Sequence, residues 1–145
     1  MTIFTIGFTQ KTAKEFFELL KKNKIELLVD VRLNNQSQLA GFTKGQDLSY
    51  FLKEIVGCEY SHDLILAPTK ELLNDYKKGT VTWDRYVEVF SKLIESRKMA
   101  ENFEKKYSAY SNVVLLCSEP KADKCHRRLV AEAVSKKYGY EIKHL

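Results

Sequence analysis

Short apolar runs alternate along this chain with longer stretches in which apolar residues recur at helical spacing. The run Ile3 to Gly7 ends where a glycine lets the chain turn, and it predicts a first strand. Thr12 with Glu15 three residues later forms a capping box. Phe16, Phe17, Leu19 and Leu20 then give a helix its apolar face, with Asn23 as its stop. Ile25 to Val31 is nearly continuously apolar, as strands are when a parallel sheet is covered on both faces. Leu33 to Gly45 reads as a polar loop, and Leu48, Phe51, Leu52, Ile55 and Val56 repeat at helical spacing. A short strand at Glu59–His62 and a weak helix near Lys70–Lys78 follow. Trp83, Tyr86, Val87, Phe90, Leu93 and Ile94 mark a long amphipathic helix running towards Tyr107. Val113 to Cys117 is the second buried strand. A last helix, starting near Asp123 or Lys124, buries Leu129, Val130, Ala133 and Val134. Gly139 fits its C′ position, and Tyr140–His144 forms a final strand.

Strands alternating with helices predict βαβ units and a three-layer α/β fold: an open, mostly parallel twisted sheet with helices on both faces, Rossmann-like. The 145 residues suit one domain, 1–145, and six glycines with two prolines leave no room for a long linker. The apolar runs are too short to span a membrane, and no charged segment precedes an apolar stretch at the N-terminus. A cytoplasmic protein with reduced thiols is the simplest expectation for its three cysteines, none of which lies in a Cys-x-x-Cys pair. A net charge of +5 and a pI near 9.0 favour anionic partners, although much of the excess sits in lysine pairs on solvated helix faces. Charge and composition leave the oligomeric state open.

The chemistry concentrates at the ends of the two buried strands. Asp30 and Arg32 follow one; Cys117 and Glu119 follow the other. In open α/β sheets ligands bind beyond the carboxyl ends of the strands, so the two clusters are expected to share one crevice. A carboxylate in an apolar strand is costly unless paired. Asp30 therefore reads as a structural partner of Arg32 or as the group that orients Arg32 towards a substrate. Glu119 reads as a general base or as an ion-pair partner of Arg32, Arg127 or Arg128. The entry to the last helix offers free N–H groups to an anion, and Arg127 or Arg128 adds a bidentate grip. Cys125, flanked by Lys124, His126 and the arginines, is in a setting that lowers a thiol pKa, which makes it a candidate nucleophile; the competing reading is a small packed apolar residue. No Cys-x5-Arg loop of the tyrosine-phosphatase or sulfurtransferase kind is present. His62 reads as a crevice residue or a satisfied core histidine. Cys117, Cys125 and His126 invite a metal reading, against which stands the awkwardness of adjacent Cys and His ligands on a helix.

These residues carry a family resemblance. Thr5-Ile6-Gly7-Phe8-Thr9, Leu28-Val29-Asp30-Val31-Arg32, Tyr60-Ser61-His62, Leu115-Leu116-Cys117-Ser118-Glu119 and Cys125-His126-Arg127 resemble the bacterial and archaeal family called domain of unknown function 488, over almost the whole chain. The resemblance implies a compact three-layer α/β fold. It also implies that Asp30, Arg32, Cys117, Glu119, Cys125, His126 and Arg127 occupy the family's characteristic positions. Two departures stand out: Phe8 where many members have His, and Leu33-Asn34-Asn35-Gln36-Ser37-Gln38 where they carry a Pro- and Arg-rich stretch.

The leading expectation is an enzyme or enzyme-like binder of a small anionic, phosphorylated or nucleotide-like compound. Arg32, Arg127, Arg128, His126, Cys117 and His62 would line or hold the substrate, and Asp30, Glu119 and Cys125 would do the chemistry, with no cofactor. A non-catalytic nucleic-acid-binding protein is the alternative, although its 16 Phe and Tyr residues and single Trp fall mostly on helical inner faces. A metal site at Cys117, Cys125 and His126 is the third reading. No membrane partner is expected.

Overall fold

The computed structural model describes residues 1–36 and 40–145, so part of the predicted 33–45 loop lies outside the described residues. The elements are β1 (Thr2–Gly7), α1 (Ala13–Lys22), β2 (Leu27–Asp30), α2 (Gly45–Phe51, continued by a π-turn over Leu52–Val56), β3 (Glu59–His62), α3 (Lys70–Lys77), α4 (Trp83–Ser96), α5 (Met99–Tyr107), β4 (Asn112–Cys117), α6 (His126–Tyr138) and β5 (Glu141–His144). The sheet has five strands in the order β3-β2-β4-β1-β5, every neighbouring pair parallel.

Alternate residues of the buried strands feed two separate cores. Phe4, Ile6, Leu28, Val114 and Leu116 pack with Phe16, Phe17 and Leu20 of α1 and Leu48 of α2 on one face. Ile3, Leu27, Val29, Val113 and Leu115 pack with Tyr86, Phe90, Phe103 and Val130 of α4, α5 and α6 on the other. Parallel strands covered on both faces cannot alternate apolar with polar, which is why Ile25–Val31 and Val113–Cys117 read as continuous apolar runs. Thr12 caps α1 by accepting the Glu15 N–H at 3.1 Å, and Gly139 closes α6 in the left-handed region at φ 74°.

Two element boundaries differ from the sequence expectation. The predicted helix from Trp83 towards Tyr107 is two helices, because Lys98 takes φ 51° and turns the chain. Arg97 holds that corner by donating to the Ile65 and Ala67 carbonyls at 3.1 and 2.7 Å, and Asn102 donates back to Arg97 O at 2.9 Å. The last helix starts at His126, not at Asp123 or Lys124. Cys125 is its extended N-cap (φ −136°, ψ 138°).

The topology fixes the site. The chain leaves β1 towards β2 and β3 but leaves β4 in the opposite direction towards β5, and β4 lies between β2 and β1. The ends of β1, β2 and β4 are side by side, with Gly7 opposite Cys117 and Asp30 opposite Leu116. A ligand crevice is expected where neighbouring strands send their connections to opposite sides. Among the described residues no helix is long and apolar enough to cross a membrane.

Candidate functional site

A cavity of about 510 Å³ lies beyond the tips of β2 and β4. Its floor is Cys117, Cys125 and His126. One wall is aromatic, formed by Tyr76 of α3 with Trp83 and Tyr86 of α4, and the rim carries Phe8, Arg32, Lys77, Glu119 and Lys124. The tip of the second buried strand and the entrance to the final helix therefore lie together on one cavity, as the sequence argument required.

The floor is built by the late start of α6. Because Cys125 is extended rather than helical, its side chain and that of His126 both reach Cys117, which would be awkward for adjacent residues inside a helix. The candidate ligand atoms of Cys117, Cys125 and His126 all lie within 4.8 Å of one another. His126 Nδ1 is 3.7 Å from Cys117 Sγ, and its Nε2 is 2.7 Å from the Val31 carbonyl oxygen. A carbonyl only accepts, so Nε2 carries a proton and Nδ1 is the nitrogen turned towards the sulfurs. The Cys117 thiol is held well below the usual thiol range by a hydrogen bond from Cys125 and by the adjacent His126; the Cys125 thiol, which supplies that bond and is buried, is pushed up. Burial works against the His126 imidazolium, but the neighbouring Cys117 sulfur and the Val31 carbonyl together outweigh it and raise the imidazole. Of the two thiols, Cys117 rather than the expected Cys125 is the one set up as a thiolate. Cys58 packs in the opposite core, where burial pushes it up to about 12.

Asp30 and Arg32 are a closed unit. Asp30 is fully buried and accepts from Arg32 Nε at 2.8 Å and Nη2 at 2.7 Å, from the Arg32 backbone N–H at 3.2 Å, and from the Tyr60 hydroxyl at 2.6 Å. Arg32 spends further donors on Thr43, at 2.7 Å to its carbonyl, and lies 5.3 Å over the Phe8 ring. Arg32 thus reaches the cavity edge with most of its guanidinium committed, and Asp30 stands behind it, outside the lining. His62 bonds the Arg32 carbonyl through Nε2 at 2.7 Å and also lies outside the lining.

The two arginines of α6 turn away from the cavity. Arg127 is fully buried, and its Nη1 donates to the Glu119 carbonyl at 2.5 Å, while Nε and Nη2 have no partner among the described residues. Arg128 sits 3.8 Å from Glu132 on the helix surface. Arg127 thereby ties the β4–α6 connection to the helix. Gly7 makes room for it: a Cβ there would stand 1.6 Å from the Glu119 carbonyl oxygen. The Glu119 side chain is exposed on the rim, the one carboxylate among the described lining residues.

Sequence reasoning missed the aromatic wall. Trp83 and Tyr86 stack at 5.1 Å and 15°, and Tyr86 stacks on Phe90 at 5.9 Å and 11°. Tyr86 is only 2% exposed, and burial followed by the nearby Cys117 and Cys125 sulfurs raises its pKa, so its hydroxyl stays protonated. Helical spacing marked these residues as apolar without separating those that face the core from those that face a cavity.

The family described as Domain of unknown function DUF488 matches residues 12–134. This chain belongs to that family. The match takes in β2, β4 and the entrance to α6, so the cavity floor of this DUF488 protein lies inside the family segment, whereas β1 and β5 lie outside it. No curated protein and no solved structure matches the chain.

Proposed function

We propose that this DUF488 protein is an enzyme or enzyme-like binder whose cavity takes a small compound with a flat ring and an anionic group, of the nucleotide-like class. The observation that carries the reading is the meeting, on one cavity, of a stacked aromatic wall and a floor of thiol and imidazole groups. Trp83 and Tyr76 offer faces to a ring, and Lys77 and Lys124 on the rim offer charge to a phosphate or carboxylate. Such a pocket, mostly apolar with a few convergent polar groups, is the form small-molecule sites take. The Tyr86 hydroxyl donates to the bound compound, Glu119 on the rim accepts a proton, and the reacting atom sits over Cys117 and His126.

Trp83 is the single tryptophan, so its fluorescence reports on the wall directly. Titration with nucleoside 5′-monophosphates should give a saturable change, with weaker binding of the matching nucleosides and of inorganic phosphate alone. Lys124→Ala should weaken the nucleotide and spare the nucleoside. Absence of any saturable change, or tighter binding of a single-stranded oligonucleotide than of any monomer, contradicts the small-ligand reading; the latter result favours nucleic acid.

A further inference from the structure

We infer that Cys117, Cys125 and His126 form a mononuclear metal centre for a thiophilic divalent ion of the zinc type, with its fourth coordination position open to the cavity.

Three geometric facts carry this. The two sulfurs and Nδ1 already cluster within 4.8 Å, and Cys117 Sγ stands 3.7 Å from His126 Nδ1. A tetrahedral ion with metal–sulfur bonds of about 2.3 Å and a metal–nitrogen bond of about 2.0–2.1 Å sets that sulfur–nitrogen edge at roughly 3.6 Å, so this edge already has the length a bound ion needs, and the other two, at most 4.8 Å, close around it. The imidazole is already oriented: its far nitrogen donates to the Val31 carbonyl at 2.7 Å, the outer contact that metal-bound histidines characteristically make. All three groups line the cavity. Three protein ligands with a solvent-facing fourth position is the pattern of catalytic rather than structural zinc.

The donor set also selects the ion. Two thiolates and one imidazole in a tetrahedral arrangement suit zinc, whereas calcium and magnesium demand oxygen ligands. Two thiolates cancel the charge of a divalent ion, so loading adds no net charge to a buried floor. Cys58 stands apart, bonded to the Glu59 carbonyl at 3.2 Å, and serves as the internal control.

This centre rests on the proposed cavity reading only for the use of its fourth position; metal uptake itself is independent. The test is elemental analysis of the full-length reduced chain after incubation with zinc and gel filtration, together with cobalt loading followed by absorption spectroscopy. One zinc per chain is expected, as is a thiolate-to-cobalt charge-transfer band with the strong visible absorption of a tetrahedral ion. Cys58→Ser should keep both, and Cys117→Ser and Cys125→Ser should lose them. Should those two variants fail to fold, the cobalt spectrum of the unaltered chain decides alone. No metal beyond trace in the unaltered chain, a cobalt spectrum without thiolate charge transfer, or equal loss in Cys58→Ser overturns the assignment. So does recovery of Cys117 and Cys125 as a disulfide that refuses metal after reduction. Metal failure with the Trp83 ligand response intact removes only the centre. Metal uptake without any ligand response removes only the cavity reading.

Discussion

His126 Nε2 donates to the Val31 carbonyl oxygen at 2.7 Å. That bond joins the first turn of α6 to the end of β2 across the tip of β4, and it decides which imidazole nitrogen faces the two sulfurs. The floor of the cavity depends on it, because a flipped ring would put carbon where Nε2 and Nδ1 now stand, breaking the Val31 contact and leaving the thiols without a nitrogen partner. The relationship is local in space and 95 residues apart in sequence.

Two fully buried charged residues with opposite partner counts should respond oppositely to truncation. Asp30→Ala leaves the Arg32 guanidinium buried without its carboxylate, and loss of one partner of a buried pair costs about 3–5 kcal/mol. Arg127→Met removes a cation with two unsatisfied donors and forfeits one bond to a carbonyl, a net loss of no more than about 1.5 kcal/mol. Urea unfolding of both variants checks the ordering. An Arg127→Met loss as large as that of Asp30→Ala would mean that Arg127 has an anionic partner in solution.

Gly7→Ala should disrupt the site through sterics alone. The new Cβ would overlap the Glu119 carbonyl, which cannot withdraw without breaking the Arg127 contact, so the β4–α6 connection has to shift. Overpacking of this kind costs about 1–3 kcal/mol. Thermal unfolding should show the loss, and the Trp83 response to nucleotide should fall with it. A variant as stable as the parent would show that the close approach of these two segments is not maintained.

How much of this was legible in the sequence depends on which force set each feature. The strands, the capped start of α1 and the left-handed end of α6 follow from local patterns, since burial on both sheet faces and capping chemistry both act through neighbouring residues. The corner at Lys98 did not show, because a non-glycine residue in the left-handed region is held there by contacts from Arg97 and Asn102 that no local pattern records. The start of α6 was placed too early for the same reason. Its extended Cys125 is selected by convergence with Cys117, a residue eight positions back on another element. The polar strand ends identified the crevice, yet the division of labour inside it was not readable. Asp30 and Arg32 close on each other, Arg127 turns inward, and Tyr86 and Trp83 line the cavity.

Tyr86→Phe separates ligand recognition from packing. The ring keeps its stacks on Trp83 and Phe90, so thermal stability should hold, while the lost hydroxyl removes one donor to the ligand. A single hydrogen bond of about 0.5–1.5 kcal/mol translates to roughly a two- to thirteenfold weaker nucleotide titration. Unchanged affinity would show that the hydroxyl faces water rather than ligand.

The central claim, that β4 and the start of α6 bring Cys117, Cys125 and His126 to a single open centre, is tested most directly by zinc-edge X-ray absorption on the metal-loaded chain. The spectrum should show two sulfur neighbours at about 2.3 Å, one histidine nitrogen at about 2.0–2.1 Å and one further light atom whose distance or identity changes when nucleotide is added. A shell of oxygen and nitrogen without sulfur, or four protein ligands with no change on adding nucleotide, would contradict it.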